Sequence, residues 1–358
     1  MESIGDNAFC FCQKLALIDI PNSVTSIGRR AFYGCTNLAT VNIPPMVTFM
    51  GNAAFCGCKS LTSINIPDEI TLIEERVFYG CSGLALINIP NRVTSIGDYA
   101  FCSCSNLNLI DFSNSLTSIG NFAFYDCYKL TTIDIPNSLI SIGNSAFGGC
   151  ISLASINFSS SLTSIGNSAF SGCISLASID IPDGLTSIGD STFQRCGNLN
   201  SITIPMGVTS IGISAFEGCY TLASINIPDG LISIGNSAFF NCTSLNKMII
   251  PNSVETIGNM AIGYNRNLIM YNFNIYEYRK SEAERYANVH NFIFVALSKN
   301  GDISGDGNID ICDLASLRQY LLRTKLLNEV EKTSADLNAD GKVNVLDYIR
   351  IKQMLLEA

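Results

Sequence analysis

Two short stretches bring together oxygen-bearing side chains at a spacing that suits a hard metal ion. The first runs Asp302-Ile303-Ser304-Gly305-Asp306-Gly307-Asn308-Ile309-Asp310-Ile311-Cys312-Asp313. Calcium takes six to eight oxygen ligands, and a twelve-residue loop supplies them from positions 1, 3, 5, 7, 9 and 12. Those positions fall on Asp302, Ser304, Asp306, the backbone carbonyl of Asn308, Asp310 and Asp313, with Gly307 at the sharp turn. The pattern returns thirty-four residues later as Asp336, Asn338, Asp340, the carbonyl of Lys342, Asn344 and Asp347, with Gly341 at the turn. Ser304 is a weaker ligand than Asp or Asn, which the four carboxylates around it offset. Crowded carboxylates repel one another without a cation, so two Ca2+ are expected, with binding coupled to folding.

Each loop runs into an apolar pattern of helical period, Leu314, Leu317 and Leu321 after the first and Tyr348, Ile351 and Leu355 after the second. Two helices with one apolar face each are expected to share a small core. The paired loops resemble a type I dockerin over residues 302–358, including Asp in place of Glu at loop position 12. The resemblance implies an all-α calcium-binding module that attaches to the cohesin module of a scaffoldin, in the cellulosomes of anaerobic bacteria. It also implies a set of cohesin-facing residues: Ile311, Cys312, Arg318, Gln319 and Arg323 in the first half, and Val345, Leu346, Lys352, Gln353 and Glu357 in the second. Ile-Cys and Val-Leu stand where some dockerins carry Ser-Thr, and the two halves are unequal there.

Upstream of the loops the chain repeats itself. Phe recurs every 23 residues, at 9, 32, 55, 78, 101, 124, 147, 170, 193, 216 and 239, and Ile262 continues the series. A cysteine follows each Phe by three residues, and L-x-x-I-x-I follows the cysteine, as in Leu15-Ile18-Ile20. One such unit cannot bury its own apolar face, so about twelve copies are expected to stack into a solenoid of parallel strands ~4.8 Å apart. Pro21, Pro67 and Pro182 lie just past the strand, where a lost N–H disturbs the ladder least. Gly5, Gly28 and Gly97 are expected to relax the backbone at each corner, and Ala-Phe-x-x-Cys to form a short helical turn with Phe and Cys inward. This unit resembles the BspA-like leucine-rich repeats of bacterial and protist surface proteins over approximately residues 1–297. The resemblance implies a β-rich α/β solenoid with an adhesive or protein-binding role, and it names no ligand.

Met1-Glu2-Ser3-Ile4-Gly5 enters midway through a rung, where Val24-Thr25-Ser26-Ile27-Gly28 stands one unit later, so the sequence is expected to be a fragment of something longer. At the other end Ser281 to Ala287 reads as a Ser-capped helix with an acidic first turn, and Phe292 to Val295 as a strand that closes the core. The expected organisation is a solenoid over 1–267, a cap over 268–298, a linker at 299–301 and the dockerin over 302–358.

Of the fifteen cysteines, eleven share the inward site. Their Cβ atoms would run parallel at ~4.8 Å, beyond the ~3.5–4.5 Å of a disulfide, so a ladder of unpaired thiols is expected. Cys10, Cys56 and Cys102 instead occupy the position after Phe, where Tyr33, Tyr79 and Tyr125 stand on the intervening rungs. As surface thiols they would favour a reducing or anaerobic setting. Zinc is disfavoured, because the C-x-C pairs have no His and no second matched pair.

The strand position between the two isoleucines carries Asp19, Asn42, Asn65, Asn88, Asp111, Asp134, Asn157, Asp180 and Asn226, and should face solvent. Asp111 and Asp134 on adjacent rungs would lie ~5 Å apart, near the separation in retaining glycosidases. Acid/base work also needs one raised pKa, and the row offers no evident apolar pocket. The single histidine, His290, falls in the cap, and no Ser-His-Asp set or phosphate-cradling loop appears. Nothing in the repeats requires an enzyme. Tyr33, Tyr79 and Tyr125 would form a row at ~10 Å spacing, comparable to alternate residues of an extended β-linked glucan; the competing reading is packing on the outer face. A protein ligand would use Leu17, Thr40, Leu86, Leu109 and Thr132 with the Asp/Asn row.

The totals agree with a β-rich exported protein. Apolar residues make up 47% and charged residues 14%, with no Trp. A net charge of -9 without a Lys/Arg run leaves no footprint for nucleic acid. No segment approaches the ~20 apolar residues of a spanning helix, and any export signal lies outside this sequence. The expectation is an extracellular, non-catalytic, protein-binding or adhesive solenoid, anchored to a cellulosome or a cell surface. A glycan-binding module is the alternative, and a polysaccharide-active enzyme a distant one.

Overall fold

The computed structural model describes residues 2–266, 268–270, 273–277, 281–297, 301–337 and 341–357. Most rungs contribute a three-residue strand such as Thr132–Asp134 and a two-residue strand such as Ser118–Ile119. Each pairs in parallel with its counterpart one rung on, Thr132 with Ser155 and Ser118 with Ser141. Successive strand side chains point to opposite faces, so Ile133 is buried while Thr132 and Asp134 are exposed. The result is a β-solenoid of about twelve rungs, the β-rich leucine-rich-repeat architecture that the 23-residue period implies.

Phenylalanine fills the centre. Phe32 to Phe239 are fully buried at each repeat, and successive rings stack with centroids between 5.1 and 5.9 Å apart. Ten thiols of the inward series, Cys35 to Cys242, sit beside this stack and donate to the carbonyl of the Phe 26 residues earlier, as Cys58 Sγ does to Phe32 O at 3.2 Å and Cys242 Sγ to Phe216 O at 3.1 Å, whereas Cys12, expected to point inward with them, is exposed on the first described rung. None of the fifteen cysteines is joined in a disulfide. Burial pushes Cys35 up to about 11 and Cys196 and Cys242 up to about 12, so these thiols stay protonated and inert.

Besides Cys12, three expectations need correction. The segment from Ala to Cys is a run of tight turns, with no helical turn. Tyr33 N and Cys35 N close turns onto Arg30 O and Phe32 O, while Phe32 N and Gly34 N donate to Ala54 O and Cys56 O of the next rung at 2.7 Å. Alternate amides thus serve the turn and the ladder, which requires left-handed backbone at residues such as Arg30, Ala53 and Phe122. The corner glycines answer a different need from the expected one. Gly28 and Gly97 have ordinary φ, but a Cβ on Gly28 would lie 2.7 Å from the Asp6 amide nitrogen and the Gly5 carbonyl carbon of the previous rung. Close approach of backbones, not turn conformation, excludes a side chain there. The third correction concerns Cys56 and Cys102, which are 6% and 4% exposed and so are not surface thiols, while Cys10 is half-buried. Tall tyrosines on both neighbouring rungs cover the short side chain between them. Tyr79 lies so near that Cys102, ahead of burial, raises its phenol pKa.

Beside the corner glycines runs a side-chain ladder. Asp98 Oδ1 accepts from Asn121 N at 2.7 Å, and Asn121, Asn144, Asn167 and Asp190 repeat the bond rung by rung up to Ile213 N.

The solenoid ends as expected. Helix α1 (Glu282–His290) starts at the N-cap Ser281, whose Oγ accepts from Glu284 N. The strand Ile293–Ala296 pairs with Asn274–Glu277, and that with Lys247–Ile249, which continues the ladder. Tyr286 closes the aromatic column by bonding both Ile262 N and Ile262 O at 3.1 Å. No helix among the described residues is long and apolar enough to cross a membrane.

Candidate functional site

Beyond the cap, α2 (Ile311–Leu321) and α4 (Val345–Glu357) pack around Leu317 and Ile351, with Ile303, Leu327 and Ala335 completing the core. A third helix, α3 (Glu329–Ala335), joins them and was not anticipated. Asn328 and Glu331 form its capping box, Glu331 N to Asn328 Oδ1 at 2.9 Å and Asn328 N to Glu331 Oε2 at 2.7 Å. That N-x-x-E spacing is the signal in the sequence that would have located it.

The first loop folds around its two terminal carboxylates. Asp302 is 1% exposed and accepts from Gly305 N at 2.7 Å, Asp306 N at 3.0 Å and Gly307 N at 2.7 Å. Asp313 is fully buried and accepts from Ser304 N at 2.7 Å and Asp310 N at 2.8 Å. The second loop repeats this, with Gly341 N on Asp336 at 2.8 Å and Asn344 N on the fully buried Asp347 at 2.8 Å. Burial, opposed by the amides of Asp310 and Ser304 and reinforced by Asp302, raises the pKa of Asp313. Neighbouring buried carboxylates whose charges repel, set in an otherwise oxygen-only loop, fit a hard cation such as calcium.

Among the described residues no three His, Cys, Asp or Glu side chains form a metal cluster by themselves. The expected set draws also on the Ser304 hydroxyl and on the Asn308 and Lys342 carbonyls. Asn338 and Asp340 lie outside the described residues.

Asp313 and Asp347 also lie in the first turns of α2 and α4, so the loops aim the helix faces. On α2, Ile311, Cys312, Arg318 and Gln319 are exposed, with Arg323 just beyond its end; on α4, Val345, Leu346, Lys352 and Gln353 are exposed. The Glu357 side chain lies outside the described residues. A groove of about 390 Å³ runs along α2 between Ile311, Ala315, Arg318, Gln319, Leu322 and Tyr348.

Along the solenoid the Asp/Asn row faces solvent as expected. Asn157 Nδ2 donates to Asp134 Oδ1 at 2.8 Å, so Asp134 has an amide partner on the next rung. The tyrosine row is unequal. Arg30 lies over the Tyr33 ring at 5.6 Å, and Tyr125 leans on Gly148, where a Cβ would meet its ring at 2.9 Å. Tyr79 is 37% exposed. His290 Nδ1 bonds the Tyr264 hydroxyl at 2.6 Å within the cap, a structural place.

Family models match both halves of the chain. The family described as BspA type Leucine rich repeat region matches residues 2–127, 72–200, 117–234 and 186–304, in six copies. Another, Dockerin type I domain, matches residues 300–356. Among solved structures, a leucine-rich repeat protein from Bacteroides ovatus is 29% identical with a TM-score of 0.63, over 82% of this chain and 86% of that one. A leucine rich cell surface protein from Faecalibacterium prausnitzii is 32% identical with a TM-score of 0.45, over 72% of this chain and 83% of that one. No curated protein matches the chain.

Proposed function

Because the chain belongs to the BspA-type leucine-rich repeat family and carries a type I dockerin domain, we propose that it is a secreted, non-catalytic binding solenoid held on a cellulosome-type scaffold by calcium-dependent docking to a cohesin. One observation carries the reading: two loops in a 34-residue register, each closed on a fully buried aspartate in the first turn of a helix with an exposed face. One Ca2+ is assigned to Asp302, Ser304, Asp306, Asn308, Asp310 and Asp313, and a second to Asp336, Asn338, Asp340, Lys342, Asn344 and Asp347. The ions supply the positive charge that lets these carboxylates close on one another. Far-UV circular dichroism and binding to immobilised type I cohesins, each run in excess calcium and in EDTA, test the reading. If EDTA changes neither signal, the docking function is wrong.

For the solenoid we propose a protein ligand on the three-residue strands, across Leu17, Thr40, Leu86, Leu109, Thr132 and the Asp/Asn row. Leu17, Leu86 and Leu109 support it, since they are 60%, 55% and 55% exposed. The glycan reading rests on Tyr79, because Tyr33 and Tyr125 are partly engaged by Arg30 and Gly148. Unchanged retention of Tyr79→Ala on β-glucan beads would end it. Turnover in a polysaccharide screen, lost in Asp134→Asn, would overturn the non-catalytic assignment.

A further inference from the structure

The dockerin half was built twice, and the 34-residue offset makes each helix a control for the other. Ile311 corresponds to Val345, Arg318 to Lys352, Gln319 to Gln353, Leu322 to Leu356 and Ala315 to Ile349. Most of these pairs keep their chemistry. Ala315 and Ile349 do not, and both are exposed.

The difference shapes the surface. At Ala315 the α2 face carries a groove of about 390 Å³, lined by Ala315 together with Ile311, Leu322 and Tyr348. At the matching place on α4, Ile349 projects with 46% of its surface exposed. Charge separates the faces as well. The exposed Arg318 and Arg323 flank α2, whereas Lys352 and Glu357 stand at the equivalent positions on α4. Arg323 holds its place at a conformational cost, with φ at 61° where glycine would be easier. Its left-handed backbone lets Thr324 N reach back to Gln319 O at 2.9 Å and finish α2.

We infer that the α2 face is the working cohesin face: the groove over Ala315 receives an apolar side chain of the partner, and Arg318 and Arg323 pair with carboxylates beside it. The inference rests on the docking function proposed above. It commits the partner to an apolar knob with an acidic rim, since two exposed guanidinium groups beside the groove favour that complement. It also makes Ala315 the residue whose size sets the shape difference between the two faces.

The test uses the full, calcium-loaded chain and a panel of purified type I cohesins on a biosensor surface. Ala315→Ile fills the groove and makes α2 resemble α4; Ile349→Ala is its mirror image. With the cohesin that the unaltered chain binds, Ala315→Ile is expected to raise Kd by at least about tenfold, as for a central interface contact, while Ile349→Ala changes it by less than about twofold. Arg318→Glu with Arg323→Glu should also weaken binding and flatten its salt dependence. Both sites are at the surface, so circular dichroism and calcium titration should match the unaltered chain in every variant. If Ala315→Ile binds normally, or if Ile349→Ala is the variant that fails, the assignment of the α2 face is overturned while docking itself stands. If the unaltered chain binds no cohesin in calcium, the docking function fails, and this inference with it.

Discussion

Gly143→Ala measures how closely the rungs are packed. A methyl on Gly143 would stand 2.6 Å from Asn121 N and from Gly120 C, and 2.8 Å from Gly120 O, all on the previous rung. Carbon needs about 3.5 Å from such atoms, so the two rungs must part locally by roughly 0.8 Å. That movement falls on the bond from Gly143 N to Ile119 O, 2.8 Å long, and on the pairing of Ile119 with Ile142. Overpacking of this kind costs about 1–3 kcal/mol, and a weakened ladder bond adds about 0.5–1.5 kcal/mol. Alanine stiffens the unfolded chain and returns about 0.4–1 kcal/mol, which leaves a net loss of about 1–3 kcal/mol. Gly5 occupies the same position in the first described rung, where nothing lies within 4 Å of the added Cβ. Gly5→Ala is therefore expected to be neutral or slightly stabilising. Urea unfolding followed by far-UV circular dichroism, in excess calcium, gives both values. Equal midpoints for the two variants would refute the contact argument and return the explanation to backbone conformation.

Four further outcomes follow from other parts of the molecule. In the native state no more than Cys10, Cys12 and Cys312 should react with a thiol reagent at pH 8, and all fifteen cysteines should react once the chain is unfolded, because the others are buried; fast labelling of Cys56 or Cys102 would contradict their placement. Ser159→Pro should raise stability by about 0.5–2 kcal/mol, since it removes a buried hydroxyl without a partner at a position where most rungs carry proline; a loss would show that Ser159 Oγ has a role. Burial and then Arg285 lower the His290 pKa below its usual 6.5, so its contribution is complete above pH 6.5 and is lost as the pH falls through the folded value. The unfolding midpoint should therefore fall further between pH 7.5 and pH 5 in the unaltered chain than in His290→Gln. Asp313→Asn keeps the shape of the side chain but removes its charge, so calcium affinity at the first loop should drop by at least about tenfold, with the second loop unaffected in a calorimetric titration.

What could be read in advance was whatever repeats or follows a ligand rule. The Phe and Cys series and the L-x-x-I-x-I strands are periodic because every rung buries the same atoms, so the core was legible. The calcium loops were legible for a similar reason, since ligand geometry dictates residue type at fixed positions. Contacts between rungs were not, because they depend on which neighbour stands beside a residue. Gly28 is glycine on account of Asp6 and Gly5, and Cys56 is buried on account of Tyr33 and Tyr79. The Asn ladder from Asp98 to Ile213 went unnoticed because each residue, taken alone, is an ordinary polar surface position. Helix α3 carries its own mark in the sequence, the N-x-x-E spacing of Asn328 and Glu331 that caps it.

The alternation of Tyr and Cys on successive rungs has a bearing on how such a chain finds its register. Stacked repeats are nearly interchangeable, so a chain that loops out one rung and closes over the gap keeps almost all of its core contacts. Between Tyr33 and Tyr125, looping out a thiol rung brings two tyrosines onto adjacent rungs, where neighbouring backbones are only ~4.8 Å apart, and looping out the Tyr79 rung sets Cys56 beside Cys102 with no tyrosine between them. Skipping two rungs at once preserves the alternation. The outer face therefore acts as a parity check on folding, sensitive to single slips and blind to double ones, and it is confined to the first rungs; beyond Gly148 and Ser171 the series carries no such mark.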